Sequence, residues 1–492
     1  MKKNIRQFAF VLLAAVAFFA VFDCSKKAAN PLPQSDPVTP VTPPVIVKTD
    51  VAMWLTKADQ SALLAKQNIA LNFSAATNSN TSINVDTVTT YQTIDGFGYC
   101  LTGGSASVIN SLPPDKKSAL LKELFLTDSA HIGISYLRIS IGASDMSATD
   151  FTYDDLVTGT DESLSQFNID KEKTDLIPVL KSILALNPAI RILACPWTAP
   201  VWMKINTIGN NGFTGGSLNP AYYDAYAKYF VKYIQAMKAE GITIDAVTPQ
   251  NEPLNPNNNP AMVMQANEEA NFIKNNLGPQ FKAASLATKI IVYDHNTDRT
   301  DYPLAVLADA AASAYVDGSA FHLYAGNING LTTVHTAYPG KNIYFTEQYT
   351  PSTGAFAGDL SWHVTNLIIG ATRNWSRNVL EWNMATDASY GPHTNGGCST
   401  CQGAITISGS SISRNVSYYI IAHASKFVRP GAVRIASSNL TTLPNVAFKN
   451  TDGSKVLIVQ NTTSNNLTFN ISFNQKIVTS TLPGGAASTY VW

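Results

Sequence analysis

The stretch "ITIDAVTPQNEP", residues 242–253, reads as a short strand over 245–252 that carries Asn251 and Glu252 to its carboxyl end, where Pro253 stops it. A single glutamate at a strand end is ordinarily a solvated carboxylate, so its meaning depends on its company. Seven further β-like runs follow the same plan, at 93–98, 135–142, 191–197, 289–296, 318–324, 342–348 and 378–384. Between them lie amphipathic helical stretches, such as "PDKKSALLKELF" from Pro114 and "AYYDAYAKYFVKYIQAMKAEG" from Ala221, with apolar residues three and four apart. Only the gap after Tyr324 is short, with a poorly marked helix. Eight strands alternating with helices predict an α/β chain folded as a (β/α)8 TIM barrel. A dinucleotide-binding sheet is a poorer fit, because "GFGYCLTGG" lacks the G-x-G-x-x-G spacing and an acidic ribose partner.

A barrel of this kind carries its chemistry at the carboxyl ends of the strands. Polar and aromatic residues gather there: Arg138 and Asp145 with the second strand, Trp197 with the third, and Asn251-Glu252 with the fourth. His322 and Tyr324 end the sixth, Glu347 the seventh, and Trp382-Asn383 the eighth. Glu252 and Glu347 fall on strands that face each other across the barrel. Cleaving a glycosidic bond takes two such groups, an acid for the leaving oxygen and a carboxylate at the anomeric carbon. A separation of about 5–5.5 Å would make the second a nucleophile and retain configuration. Arg138 beside Glu347 would favour the ionised form of that carboxyl.

The flanks differ. Residues 428–492 alternate in strand fashion around an Asp452-Gly453 turn and end in "STYVW", which predicts an attached β-sandwich to which residues 51–90 contribute. The barrel then spans 91–427. At the N-terminus, Lys2, Lys3 and Arg6 precede an apolar run that ends at Asp23-Cys24, so 1–24 reads as a lipoprotein-type signal with Cys24 as the lipidated residue. The small residue usual before such a cysteine is replaced by Asp23. Residues 25–50 are rich in Pro, Ser and Thr and read as a tether. Cys398 and Cys401, in "NGGCSTC", suit a local disulfide better than a metal site, since no second CxxC or nearby histidine completes a ligand set.

Of 492 residues, 34 are basic and 34 acidic, and charged residues make up only 14%. Such a balance lacks the clustered cations that nucleic acid or an anionic membrane surface requires. The seven histidines are scattered without an H-E-x-x-H, and no G-x-S-x-G opens a helix, so neither metal-assisted nor serine hydrolysis is expected, and no cofactor.

The motifs "TIDGFGYCLTGGSA", "YLRISIGASDMS", "CPWTAPVWMK", "AVTPQNEP", "FHLY", "YFTEQ", "LEWNMA" and "AHASKFVRPGAVRI" occur in this order over most of the chain. In these the sequence resembles glycoside hydrolase family 30, in its glucosylceramidase and β-1,6-glucanase branches. The resemblance implies that Glu252 is the acid/base and Glu347 the nucleophile of a retaining β-glycosidase. It places Asn251 on the sugar 2-hydroxyl, Asp145 and Trp197 on the outer hydroxyls, Trp382 as an apolar wall, and His322, Tyr324 and Arg138 around the nucleophile. The expected protein is an exported monomer, an outer-membrane or cell-surface lipoprotein or else a periplasmic or secreted one. Its substrate would be a β-1,6-glucan or another β-glucoside. The alternatives are a pocket-type β-glucosidase or glucosylceramidase, and a surface glycan-binding lipoprotein without catalysis.

Overall fold

Eight short runs rich in branched and aromatic residues pair in parallel and close on themselves: β1 Gly96–Cys100, β2 Tyr136–Ser140, β3 Arg191–Cys195, β4 Ala246–Val247, β5 Lys289–Asn296, β6 Val316–His322, β7 Asn342–Glu347 and β8 Ser376–Glu381. The computed structural model describes residues 48–492. The expected signal, the expected lipidation site Cys24 and the expected tether as far as residue 47 lie outside the described residues. Neighbours in the barrel follow chain order, with β8 closing on β1 and β4 joining β3 to β5.

The interior is filled, not hollow. Tyr136, Leu193, Ala246, Ile291, Ala320, Tyr344 and Leu380, one from each of seven strands, form a buried cluster. The remaining strand brings Gly98 into register with both Leu380 and Tyr136. A Cβ at Gly98 would stand 1.9 Å from the Tyr136 carbonyl oxygen, so only glycine lets β1 close the barrel there. Helices cover the outside. The longest, Tyr223–Ala239, turns Tyr226, Tyr229, Phe230, Tyr233 and Met237 inward, the three-and-four spacing of a buried face. The weakly marked gap after β6 holds the eight-residue helix Gly330–Ala337.

Three strand readings shift. The first barrel strand begins at Gly96, because the preceding Ser82–Thr93 strand belongs to the sandwich. The fourth is only Ala246–Val247, and the chain from Thr248 onward forms loop. Arg138 lies in the middle of β2, not at its end.

The second layer is antiparallel except at one strand pair. Strands Val433–Ser437, Asn445–Lys449, Lys455–Gln460 and Ala487–Val491 pair in turn, and Ala52–Thr56 adds to the last of them. The twelve-residue strand Ser82–Thr93 pairs with Val433–Ser437 along its second half. Its first residues pair in parallel with Leu467–Phe473, which forms a hairpin with Lys476–Leu482. Met53, Leu55, Ile83, Val85, Leu457, Val459, Phe469, Ile471 and Tyr490 fill the space between the sheets. His423, on the last barrel helix Val416–Ser425, bridges Thr56 and Thr489 of this layer at 2.9 Å each.

Candidate active site

The carboxyl ends of the barrel strands surround an open cavity of about 500 Å³ lined by Asp145, Glu252, Asn255, His295, Tyr324, Glu347, Tyr349, Trp382 and the Cys398–Cys401 pair, among others. Glu347 is the last residue of β7 and His322 the last of β6. Glu252 lies five residues beyond β4 and reaches the cavity through a left-handed backbone, with φ of 45°. Two backbone bonds fix that turn: the Asn251 amide donates to the Pro196 carbonyl at 2.8 Å, and the Glu252 amide to the Asp294 carbonyl at 3.0 Å.

Arg138 stands at the centre, fully buried. Its guanidinium donates to Glu347 Oε2 at 2.6 Å, to Asn251 Oδ1 at 2.6 Å and to Asp294 Oδ2 at 2.8 Å. It also lies over the faces of Trp197 and Trp382, 4.8 and 5.9 Å from the ring centres. Tyr324 donates its hydroxyl to Glu347 Oε1 at 3.0 Å. Both oxygens of Glu347 thus accept a hydrogen bond, one of them from a cation. Glu252 is held differently, with Asn255 donating to Oε2 at 2.8 Å and His322 Nδ1 standing 3.3 Å from Oε1. The same His322 nitrogen is 3.6 Å from Glu347 Oε1, and its Nε2 is 3.1 Å from Asp294 Oδ1. Ligand-type atoms of Glu252, His322 and Glu347 all fall within 4.8 Å of one another. That trio has the makings of a cation site, and the cations facing it are Arg138 and His322 themselves.

The charges are tightly linked. Burial pushes the Asp294 carboxyl up, but Arg138, with hydrogen bonds from His322 and Thr346, holds it well below the ordinary range. Burial alone would discharge His322, yet Glu347, Asp294 and Glu252 raise it to about 9. Burial likewise raises Glu347, with His322 and Arg138 opposing. At Glu252 the burial effect is outweighed by the His322 hydrogen bond and charge, with help from His295 and Asn255, and the carboxyl falls to about 2. The contact between them thus favours charge on both, lowering Glu252 and raising His322. Asp145, 6% exposed, is driven up to about 8, first by burial and then by the Glu347 and Glu252 charges, so it is protonated at neutral pH. Its Oδ1 and the Trp197 indole nitrogen have no partner within the protein.

Of the residues singled out in the sequence, Arg138, Asp145, Trp197, Asn251, Glu252, His322, Tyr324, Glu347 and Trp382 all meet around this basin. Trp197 and Trp382 pack together with ring centres 5.4 Å apart. Asn383 does not join them: it is fully buried, and its side-chain oxygen accepts from Thr102 and Ser105 at the start of the first helix. Cys398 and Cys401 form a disulfide, and Cys100 and Cys195 are buried thiols. Sequence reading missed Asp294, His295 and Asn255. The available signal was the polar "DHN" ending of the apolar run "IIVYDHN".

Two family models match. Residues 94–428 fit the glycosyl hydrolase family 30 TIM-barrel domain, and residues 431–490 fit the family's beta sandwich domain. The endo-1,6-beta-D-glucanase BGN16.3 of Trichoderma harzianum is 38% identical over 77% of this chain and 80% of its own. A putative glucosylceramidase 1 of Caenorhabditis elegans is 31% identical over 77% of this chain and 75% of its own. Among solved structures, the endo-beta1,6-glucanase BT3312 superimposes with a TM-score of 0.84 at 39% identity, covering 90% of this chain and 99% of its own.

Proposed function

This chain belongs to glycosyl hydrolase family 30, and on that premise we propose that it hydrolyses β-1,6-linked glucan by double displacement, with Glu347 as nucleophile and Glu252 as acid/base. The observation that carries the reading is the approach of the two carboxyl groups, whose nearest oxygens lie within 4.8 Å. Such closeness suits a retaining pair at about 5–5.5 Å better than an inverting one at roughly 6.5–9.5 Å. The linkage follows the relatives, since glucanases acting on β-1,6 bonds are the more similar ones.

In the first displacement Glu347, held as a carboxylate by Arg138 and Tyr324, attacks the anomeric carbon. Glu252 protonates the leaving oxygen. His322 Nδ1, 3.3 Å from Glu252 Oε1, can supply that proton to the acid. Asn251 spends its oxygen on Arg138, which leaves its amide protons for the sugar 2-hydroxyl. Protonated Asp145 and the unpartnered Trp197 nitrogen supply donors for the outer hydroxyls, with Trp382 as the apolar wall. In the second displacement Glu252 takes a proton from the water that releases the sugar. The protein would act as a monomer, exported and tethered through Cys24. Among the described residues no helix is long and apolar enough to cross a membrane.

The test pairs a substrate panel with a variant. Wild type should release sugar from β-1,6-glucan ahead of β-1,3- and β-1,4-glucan, xylan and glucosylceramide, with the β-anomer as first product by NMR. Glu347→Gln should abolish turnover with its circular dichroism unchanged. Preference for glucosylceramide would favour the pocket-type glucosidase, and full activity of the variant would overturn the nucleophile.

A further inference from the structure

The Cys398–Cys401 bond lies in the wall of the basin, beside Trp382 and Asp145. Three groups of contacts connect it to the sugar side of the site. Cys401, 4% exposed, packs in one buried cluster with Trp197, Trp382 and Met146, against which Cys398 and Tyr349 also lean. Cys398 and Asp145 line the same wall, and the turn leading into Cys398 grips the Asp145 backbone. Thr394 donates to the Asp145 carbonyl from its amide at 2.9 Å, and a Cβ at Gly397 would come within 2.3 Å of that same oxygen. On the far side, Cys401 and Gln402 pair with Pro351 and Thr350, just beyond Glu347 and Tyr349. The Ser352 amide donates to Thr400 at 2.9 Å. The disulfide thus closes a four-residue turn that follows directly on Gly397, packed against the Asp145 carbonyl, and ends at Cys401, paired with the β7 loop.

We propose that the Cys398–Cys401 disulfide is a positioning element for sugar recognition: it fixes the 394–402 turn as the wall of the glycone side and holds Asp145 in the pose that meets the outer hydroxyls of a β-linked glucose. This rests on the glycosidase reading above. A turn rich in Gly, Ser and Thr has little packing of its own to keep this shape, so the covalent closure supplies it. The leaving-group side is built instead from the β4 and β5 loops, through Asn255, Asn257, Asn258 and Asn296, and the turn meets the β4 loop at Asn259, which accepts from Thr394 and donates to the Asn395 carbonyl.

Binding to the inactive Glu347→Gln protein separates recognition from turnover. By calorimetry with a β-1,6-linked gluco-oligosaccharide, adding C398A/C401A to E347Q should weaken Kd by about tenfold. In an E347Q/D145A background, the same cysteine exchange should cost no more than about twofold, because the side chain it positions is gone. An unchanged Kd, or losses that simply multiply, overturns the proposal. Should the cysteine variant misfold, phosphine reduction of folded E347Q gives the same comparison. Cys100 and Cys195 are already thiols, so two new titratable thiols report the cut, and reoxidation should restore affinity. Reduction that leaves Kd unchanged also overturns it. If E347Q binds no β-glucoside at all, the glycosidase reading falls and this inference with it; binding that ignores the disulfide sinks this inference alone.

Discussion

Glu252 occupies a backbone conformation rarely adopted by side chains other than glycine and asparagine, and Asp294 beside it does the same, with φ of 59°. Such positions cost on the order of 1–3 kcal/mol each and persist where the surroundings impose them. Here they bring the Glu252 and Asp294 carboxyls to the same histidine. Glu252→Gln should slow substrates with poor leaving groups by about 10²–10⁴-fold. Activated aryl glucosides, which need less help from an acid, should lose far less; equal losses on both would remove the acid role. His322→Gln tests the proton store. With His322 raised to about 9, the wild-type alkaline limb lies high, and activity falls as pH rises past it. Without the imidazole, Glu252 must hold its own proton, so the limb of the kcat/KM profile should move to lower pH. A limb that stays in place would show that His322 does not load the acid. Most of these residues were legible as polar groups at strand ends. Asp294 was not, because β5 shifts register between Tyr293 and His295. A bulge breaks the alternation on which a period-two reading relies.

Helices and strands were easier to read than loops. Pro114–Phe125 begins and ends where its proline and its apolar spacing place it, and seven of the eight strand readings overlap the observed strands over most of their length. The exception, β4, is cut short where Pro249 offers no amide for a ladder. Side-chain groups in the loops were invisible to periodicity, and Lys204 shows why. It opens the hairpin Lys204–Gly209 with Thr214–Leu218, and its ammonium donates to Thr198 Oγ1 and to the carbonyls of Gly212, Phe213 and Ala261. That one cation gathers the β3 and β4 loops, and only the folded arrangement reveals it. Lys204→Met should strand those buried acceptors and cost about 1–3 kcal/mol. Hydrogen exchange in residues 204–218 should rise, with the barrel strands unaffected. Unchanged protection would mean that the hairpin's own ladder holds it.

At the scale of the whole molecule, His423 joins barrel to sandwich as a neutral ring. Burial depresses it to about 3 from an ordinary 6.5. The stability it contributes is therefore full above pH 6.5 and is lost as pH falls toward 3. Between pH 6.5 and 4.5 the wild type should lose more from this site than His423→Gln, read as the difference in melting-temperature slope. Identical slopes would show that the ring already carries its proton. The attachment has a consequence for biosynthesis. Ala52–Thr56 waits for its partner strand Ala487–Val491, more than 400 residues later, while Ser82–Thr93 can pair with Val433–Ser437 and Leu467–Phe473 before that last strand emerges. Barrel strands can pair while the chain is still growing, but completing the side layer is a final act. A nascent chain halted before residue 487 would carry an unpaired, apolar edge, exposed to whatever holds or degrades unfinished proteins.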